Sequence, residues 1–261
     1  MRFEFATALI TIVVVCITPQ KSSADSFNVV TGFNDTGIQP QPGDPFTYGT
    51  EPILNGPFTL FSNFVNTNCT GGECTGDGTI DAYSNGTGFF GPTTAKVATG
   101  TTLNFCCDLV VPNNVLVLAP GSYAGLALNV TRFTAPSTGV YDITGSFSDL
   151  QFSSVGLYIL VNGVTDFSSS AFTGSSAHQP AIPFSLTDIS LTAGMTIDFV
   201  VDSLGDQSND VVGLQADISS GSGTAAATPL PAALPLFASG LGAMGLLGWR
   251  RKRKARVRKG Q

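Results

Sequence analysis

Residues 155–167 read Val155-Gly156-Leu157-Tyr158-Ile159-Leu160-Val161-Asn162-Gly163-Val164-Thr165-Asp166-Phe167. An apolar, β-branched run meets Asn-Gly and resumes beyond it. Both turn residues tolerate positive φ, which a two-residue link between antiparallel strands requires, so the stretch predicts a hairpin. The same pattern continues on either side. Leu126, Leu128 and Val130 alternate with Ala127, Asn129 and Thr131, and Tyr141, Ile143, Gly145 and Phe147 alternate with Asp142, Thr144 and Ser146. Phe184–Leu191 leads through Ala193-Gly194 to Ile197, Phe199 and Val201, which alternate with Thr196, Asp198, Val200 and Asp202. Val212, Leu214, Ala216 and Ile218 alternate with Val211, Gly213, Gln215 and Asp217. Nearer the N-terminus, Phe58–Phe64, Thr79–Tyr83, Thr102–Cys106 and Val115–Leu118 are strand candidates. Alternation places one face of each strand in a core and the other in water. Helical periodicity is almost absent, so the expectation is an all-β body, a jelly-roll-like β-sandwich.

That body is expected to span 25–218, long enough to bury a single core. Residues 219–228 are small and polar and read as a flexible spacer. Residues 1–24 have the form of a secretory signal peptide: Arg2, a short apolar run over Ala6–Ile17, then Ser22-Ser23-Ala24 with cleavage after Ala24. Residues 229–261 hold Pro229-Leu230-Pro231, an uncharged apolar run over 232–249, and a basic cluster that begins Arg250-Arg251-Lys252-Arg253. The run is just long enough to cross a bilayer once, and the cluster would stay cytoplasmic.

Charge is distributed as unevenly as hydropathy. The chain has 12 Lys+Arg against 18 Asp+Glu, and only 11% of its residues are charged. Eight of the bases lie between Arg250 and Lys259, whereas 25–228 has only Lys96 and Arg132 against 17 acids, a net −15. A segment so acidic excludes nucleic acid as a partner, because phosphates need clustered bases. It attracts divalent cations instead.

The tail "ATPLPAALPLFASGLGAMGLLGWRRKRKA" resembles the PEP-CTERM sorting signal of Gram-negative bacteria, with Leu230 where the namesake residue is Glu. The resemblance implies export through the secretion translocon and a transient inner-membrane anchor. It further implies cleavage by an exosortase near Pro229–Pro231 and delivery to the cell surface or extracellular matrix. The stretch 46–218 is similar to a secreted β-sandwich module often found with such tails. The matching pieces include Phe46-Thr47-Tyr48-Gly49, Arg132-Phe133-Thr134-Ala135-Pro136, Gly139–Gly145, Val161-Asn162-Gly163 and a Leu191–Val201 hairpin. The module resembles carbohydrate-binding modules, but Phe46 and Phe133 stand where it usually has Trp, which removes any Trp-based sugar stacking.

Candidate chemistry is sparse. Cys69, Cys74, Cys106 and Cys107 imply disulfides in an exported body. Cys69–Cys74 would close a small loop, or the two sites would pair with each other. Asp202, Asp206 and Asp210, with Gly205 and Asn209, supply hard oxygens for a candidate Ca²⁺ site, against the plainer reading of a solvated turn. No other cofactor is indicated. The single His178 lies in a Ser-rich loop, and no nucleophile elbow occurs. Phe89, Phe90, Tyr123 and Tyr158 are candidate sugar-stacking aromatics, while Asn-x-Thr at Asn68, Asn85 and Asn129 reads as accidental. The leading expectation is a non-enzymatic surface or matrix protein that binds exopolysaccharide. The alternatives are a polysaccharide hydrolase, which needs a cleft with two carboxylates of split pKa, and a purely structural matrix subunit.

Overall fold

The computed structural model describes residues 24–69, 74–76, 78–86, 91–121, 127–172, 177–205 and 210–221. The expected signal peptide lies almost wholly outside them, and the sorting tail entirely so. All ladders among the described residues are antiparallel, and the strands form two large sheets and one small one. The first sheet runs β15 (Ile182–Leu191), β12 (Gly139–Asp149), β17 (Val212–Ser220), β10 (Leu116–Ala119), β7 (Thr93–Thr99), β6 (Thr79–Ser84) and β4 (Asn63–Asn68). A further strand, β1 (Ser26–Asn28), also pairs with β17. The second runs β14 (Val164–Ala171), β13 (Val155–Val161), β16 (Thr196–Asp202), β11 (Leu128–Thr134), β2 (Phe46–Glu51) and β3 (Thr59–Leu60). The small sheet is β5 (Cys74–Thr75), β8 (Thr102–Phe105) and β9 (Val110–Pro112).

The two large sheets form a β-sandwich. Their facing surfaces enclose Phe133, Tyr141, Phe147, Leu157, Phe199 and Leu214, all withdrawn from water. Each such side chain contributes about 1.5–3 kcal/mol relative to leaving it exposed. A second apolar layer lies on the other face of the first sheet, where Leu103 and Val111 of the small sheet cover Ile80, Ala82, Ala95, Val97 and Val117. The small sheet covers only the half of that face made by β6, β7 and β10. Among the described residues it leaves open much of the half made by β12, β15 and β17, where Thr144, Ser185 and Asp217 are exposed.

The hairpin forms as its sequence predicts. Asn162 and Gly163 take φ of 48° and 80° and join β13 to β14, with Val161 opposite Val164. The inward alternation on β12, β16 and β17 also holds. Three expectations are corrected. First, Leu191–Val201 is not a hairpin: β15 pairs with β12 in the first sheet, and β16 pairs with β11 and β13 in the second. The turn at 192–195 therefore carries the chain across the sandwich. Second, Phe58–Phe64 is not one strand. It breaks at Phe61-Ser62 into β3 of the second sheet and β4 of the first. Third, β11 presents Asn129, Thr131 and Phe133 to the sandwich interior, whereas Leu128 and Val130 face outward under Leu54, Phe58 and Tyr158. Both faces of that strand are covered, so polarity alternation there does not report water. β17 continues to Ser220, two residues past the expected end of the body.

Candidate functional site

Three charged side chains meet on the outer face of the second sheet. Arg132 on β11 stands opposite Asp198 on β16, and Glu51 ends the neighbouring strand β2. Arg132 Nε donates to Asp198 Oδ1 at 2.6 Å, and its Nη2 donates to Asp198 Oδ2 at 2.9 Å and to Glu51 Oε1 at 3.3 Å. Phe58 lies over the guanidinium with its ring centre 4.1 Å away. Gly49 makes room for that ring, since a Cβ there would sit 2.2 Å from the Thr59 carbonyl and 2.8 Å from Phe58. Glu51 and Asp198 are 1% and 2% exposed. Glu51 Oε2 is buried without a hydrogen-bond partner.

Burial raises both carboxyls above their ordinary range. For Glu51 the charge of Asp198 adds to the effect and Arg132 opposes it, and for Asp198 the hydrogen bond and charge of Arg132 pull the other way. Two carboxyls with shifted affinities for protons are a common sign of acid–base chemistry. This pair is not arranged for it. A scissile glycosidic bond must fit between the two carboxyl groups, and here the guanidinium fills that space beneath Phe58. The triad ties three strands together.

The triad also sets a pH dependence. The folded chain holds protons on Glu51 and Asp198 at pH values where the unfolded chain, with ordinary values of 4.5 and 3.8, has lost them. These groups therefore favour folding below those ordinary values, and stability falls as pH rises through the shifted ones. We expect Glu51→Gln to be more stable than the parent at pH 7.5, by on the order of 1 kcal/mol, with the gap closing toward pH 4. Melting curves at the two pH values check this, and an equal gap at both would refute it.

The open half of the first sheet carries a groove of about 580 Å³. Its walls come from the outward positions of β12 (Thr144, Ser146) and β17 (Gln215, Asp217), from Asn28 and Thr31 at the N-terminal edge, and from the Asn113-Asn114 turn between β9 and β10. Thr144 faces Asp217 directly across the ladder. Several lining groups are fixed by their neighbours. Asn28 Nδ2 donates to Asp217 Oδ1 at 2.8 Å while Asn28 Oδ1 accepts from the Val30 and Thr31 backbone N–H groups, and Gln215 Nε2 donates to the Asn114 carbonyl at 2.9 Å. Among the described residues, the hydroxyls of Thr31, Thr144 and Ser146, the Asn114 amide and Gln215 Oε1 take no intramolecular hydrogen bond. The groove thus offers a set of donors and acceptors to a polar ligand.

The other sequence candidates are scattered. Asp202 closes a turn by accepting from the Leu204 N–H, and Asp210 is buried and accepts from the Ser154 N–H at 3.1 Å. Asp206 lies outside the described residues, as do Phe89, Phe90 and Tyr123. Ala24 is exposed at the start of the described chain, whereas Pro229, Leu230, Pro231, Arg250, Arg251, Lys252 and Arg253 are outside it. Cys69 and Cys74 are bonded, their Cα atoms 5.3 Å apart. Cys106 and Cys107 are exposed thiols at the β8–β9 turn, next to Phe105, which faces Cys74 across the ladder. His178 is exposed, its ring 4.7 Å from Phe152 and its Nδ1 3.1 Å from the Asp149 carbonyl. Phe46 and Phe133 are core residues with ring centres 5.5 Å apart, and Tyr158 is half-buried on the outer face of the second sheet. Asn129 is fully buried, so its Asn-x-Thr is closed to modification in the folded chain.

Sequence reading missed both the triad and the groove. Arg132 left a signal: a lone base in an apolar strand of a body with two bases demands a buried acid. The groove left none, because Asn28, Asn114, Thr144 and Asp217 become neighbours only through strand pairing.

No family model matches this chain, and no curated protein matches it. Among solved structures, it is similar to the native structure of a family 35 carbohydrate binding module from Clostridium thermocellum, at 12% identity and a TM-score of 0.24, over 60% of this chain and 98% of that one. A likeness of that size is too slight to bear on architecture or ligand.

Proposed function

We propose that this chain is an exported, exosortase-sorted protein of the cell surface or extracellular matrix, and that its jelly-roll-like sandwich binds glycan without catalysis. The sorting half rests on the two termini: an N-terminal stretch shaped as a signal peptide, and a tail that places Pro-x-Pro, an apolar run and a basic cluster in that order. One observation supports the binding half: the groove on the open half of the first sheet, lined by unspent hydroxyls and amides on a rigid ladder. Hydroxyl-rich polymers are recognised by such convergent polar groups, and the strands hold them in place before binding. Among the described residues no aromatic side chain lines the groove, so affinity per site is low and retention depends on the ligand's repeating units.

The test is saturable retention of the full chain on the host's exopolysaccharide, with Ca²⁺ and with EDTA. We expect affinity that falls about thirtyfold in the double variant Thr144→Ala/Ser146→Ala, through the loss of two hydrogen bonds of roughly 1 kcal/mol each. Sensitivity to EDTA would bring Asp202, Asp206 and Asp210 in as a calcium site. No retention in either buffer would remove the glycan-binding reading for that polymer and leave the structural matrix subunit in its place.

A further inference from the structure

We propose that the groove binds two consecutive units of a linear, uncharged glycan running along β17, one unit to each of two matching rows of side chains. This inference rests on the glycan-binding reading of the same groove. Strand register builds the rows. Thr144 on β12 stands opposite Asp217 on β17, and Asp217 stands opposite Asn28 on β1. Two residues along, Ser146 on β12 stands opposite Gln215 on β17, and Gln215 Nε2 donates to the carbonyl of Asn114 in the turn before β10. All six residues line the groove. β1 and β10 pair with different parts of β17, on the side away from β12, so Asn28 and Asn114 each close one row. Each row thus sets out a hydroxyl, a side-chain oxygen and a side-chain amide in the same order. The rise of two strand residues puts the rows roughly 7 Å apart, which leaves room for one sugar ring in each.

The rows share hydrogen-bonding groups but not charge. Among the described residues Asp217 is the one charged side chain that lines the groove, and Asn28 holds its Oδ1 at 2.8 Å. Gln215 takes the equivalent place in the second row. A uronate or sulfated chain would set an anion against Asp217 with no base beside it. Of the two bases between 25 and 228, Lys96 lies on β7 with its Nζ 5.7 Å over the ring of Phe33, and Arg132 is held by Asp198 and Glu51 on the other large sheet. A chain with an amine on every unit would meet a carboxylate in one row and a neutral amide in the next. A neutral hydroxylated unit meets equivalent partners in both. It donates to Asp217 Oδ2 or to Gln215 Oε1, neither of which accepts an intramolecular hydrogen bond among the described residues, and it exchanges a hydrogen bond with Thr144 or Ser146.

The full chain would be titrated with glucose and mannose, with cellobiose, laminaribiose and mannobiose, and with two charged disaccharides, digalacturonate and de-N-acetylated chitobiose. At least one neutral disaccharide is expected to bind saturably and about thirtyfold more tightly than its monosaccharide, through the two hydrogen bonds that the second row adds. Thr144→Ala and Ser146→Ala are each expected to weaken that disaccharide about fivefold. Each should weaken the monosaccharide by less than about twofold, because the intact row still holds it. A loss confined to one of the two variants would overturn the paired rows. Tighter binding of a charged disaccharide than of every neutral one would overturn the uncharged class. If the chain is retained on the exopolysaccharide but no disaccharide outbinds its monosaccharide, the two-row proposal falls and the glycan-binding reading stands. If there is neither retention nor sugar binding, both fall.

Discussion

Arg132→Met is expected to destabilise the sandwich by about 3–5 kcal/mol, enough to lower the melting temperature by roughly ten degrees in a body of this size. The methionine fills most of the volume but leaves Glu51 and Asp198, both almost fully buried, with no counter-charge. The cost comes from two desolvated carboxylates on the strands that flank β11, one of which already has an oxygen without a partner. It should therefore shrink in acid, where both groups accept protons. The triple variant Arg132→Met/Glu51→Gln/Asp198→Asn separates charge from packing. We expect it to recover most of the loss, and a triple variant as unstable as the single one would show that the guanidinium acts by its bulk and its contact with Phe58.

Asn129→Ala should cost about 3 kcal/mol by a different route. Asn129 is fully buried inside the sandwich at the end where the sheets are joined by polar contacts. Its Nδ2 donates to the Thr93 carbonyl at 2.8 Å and to the Ala119 carbonyl at 3.1 Å, and its Oδ1 accepts from Thr94 Oγ1 at 3.1 Å. One side chain on the second sheet thus satisfies three groups on the first. Alanine would strand all three in a low-dielectric space and open a cavity beside them. Urea denaturation gives the measurement. A loss below about 1 kcal/mol would mean that water replaces the amide there and that this end of the core is wet.

Much of this fold was readable from local pattern, because local pattern is what strands and turns obey. Asn162-Gly163 had to be a tight turn, and the alternation of Tyr141, Ile143 and Phe147 had to face a core. The reading went astray wherever a second layer covered a strand or the chain changed sheets. Leu128 and Val130 look like the core face of β11, yet a loop from β2 covers them and the true interior carries Asn129 and Thr131. Ala193-Gly194 reads as a hairpin turn, but no local signal distinguishes a turn within one sheet from a step between two. The triad joins residues 51, 132 and 198, and the groove joins residues 28, 114, 144 and 217. Spacing along the chain carries no trace of such meetings, which are set by register.

The pairing of β1 with β17 has a mechanical consequence. The two ends of the body meet there: Asp25 and Ser220 exchange hydrogen bonds, and Ser26 faces Ser219. Tension applied through the chain after Ser220 enters β17 along its own axis. β12 flanks that strand along its length on one side, and β1 and β10 flank it on the other. Its ladder bonds must then shear together instead of peeling one at a time. Gln215 and Asp217 of the groove sit on this same strand, so a pull between the groove and the chain after Ser220 would run chiefly through β17 and its immediate neighbours.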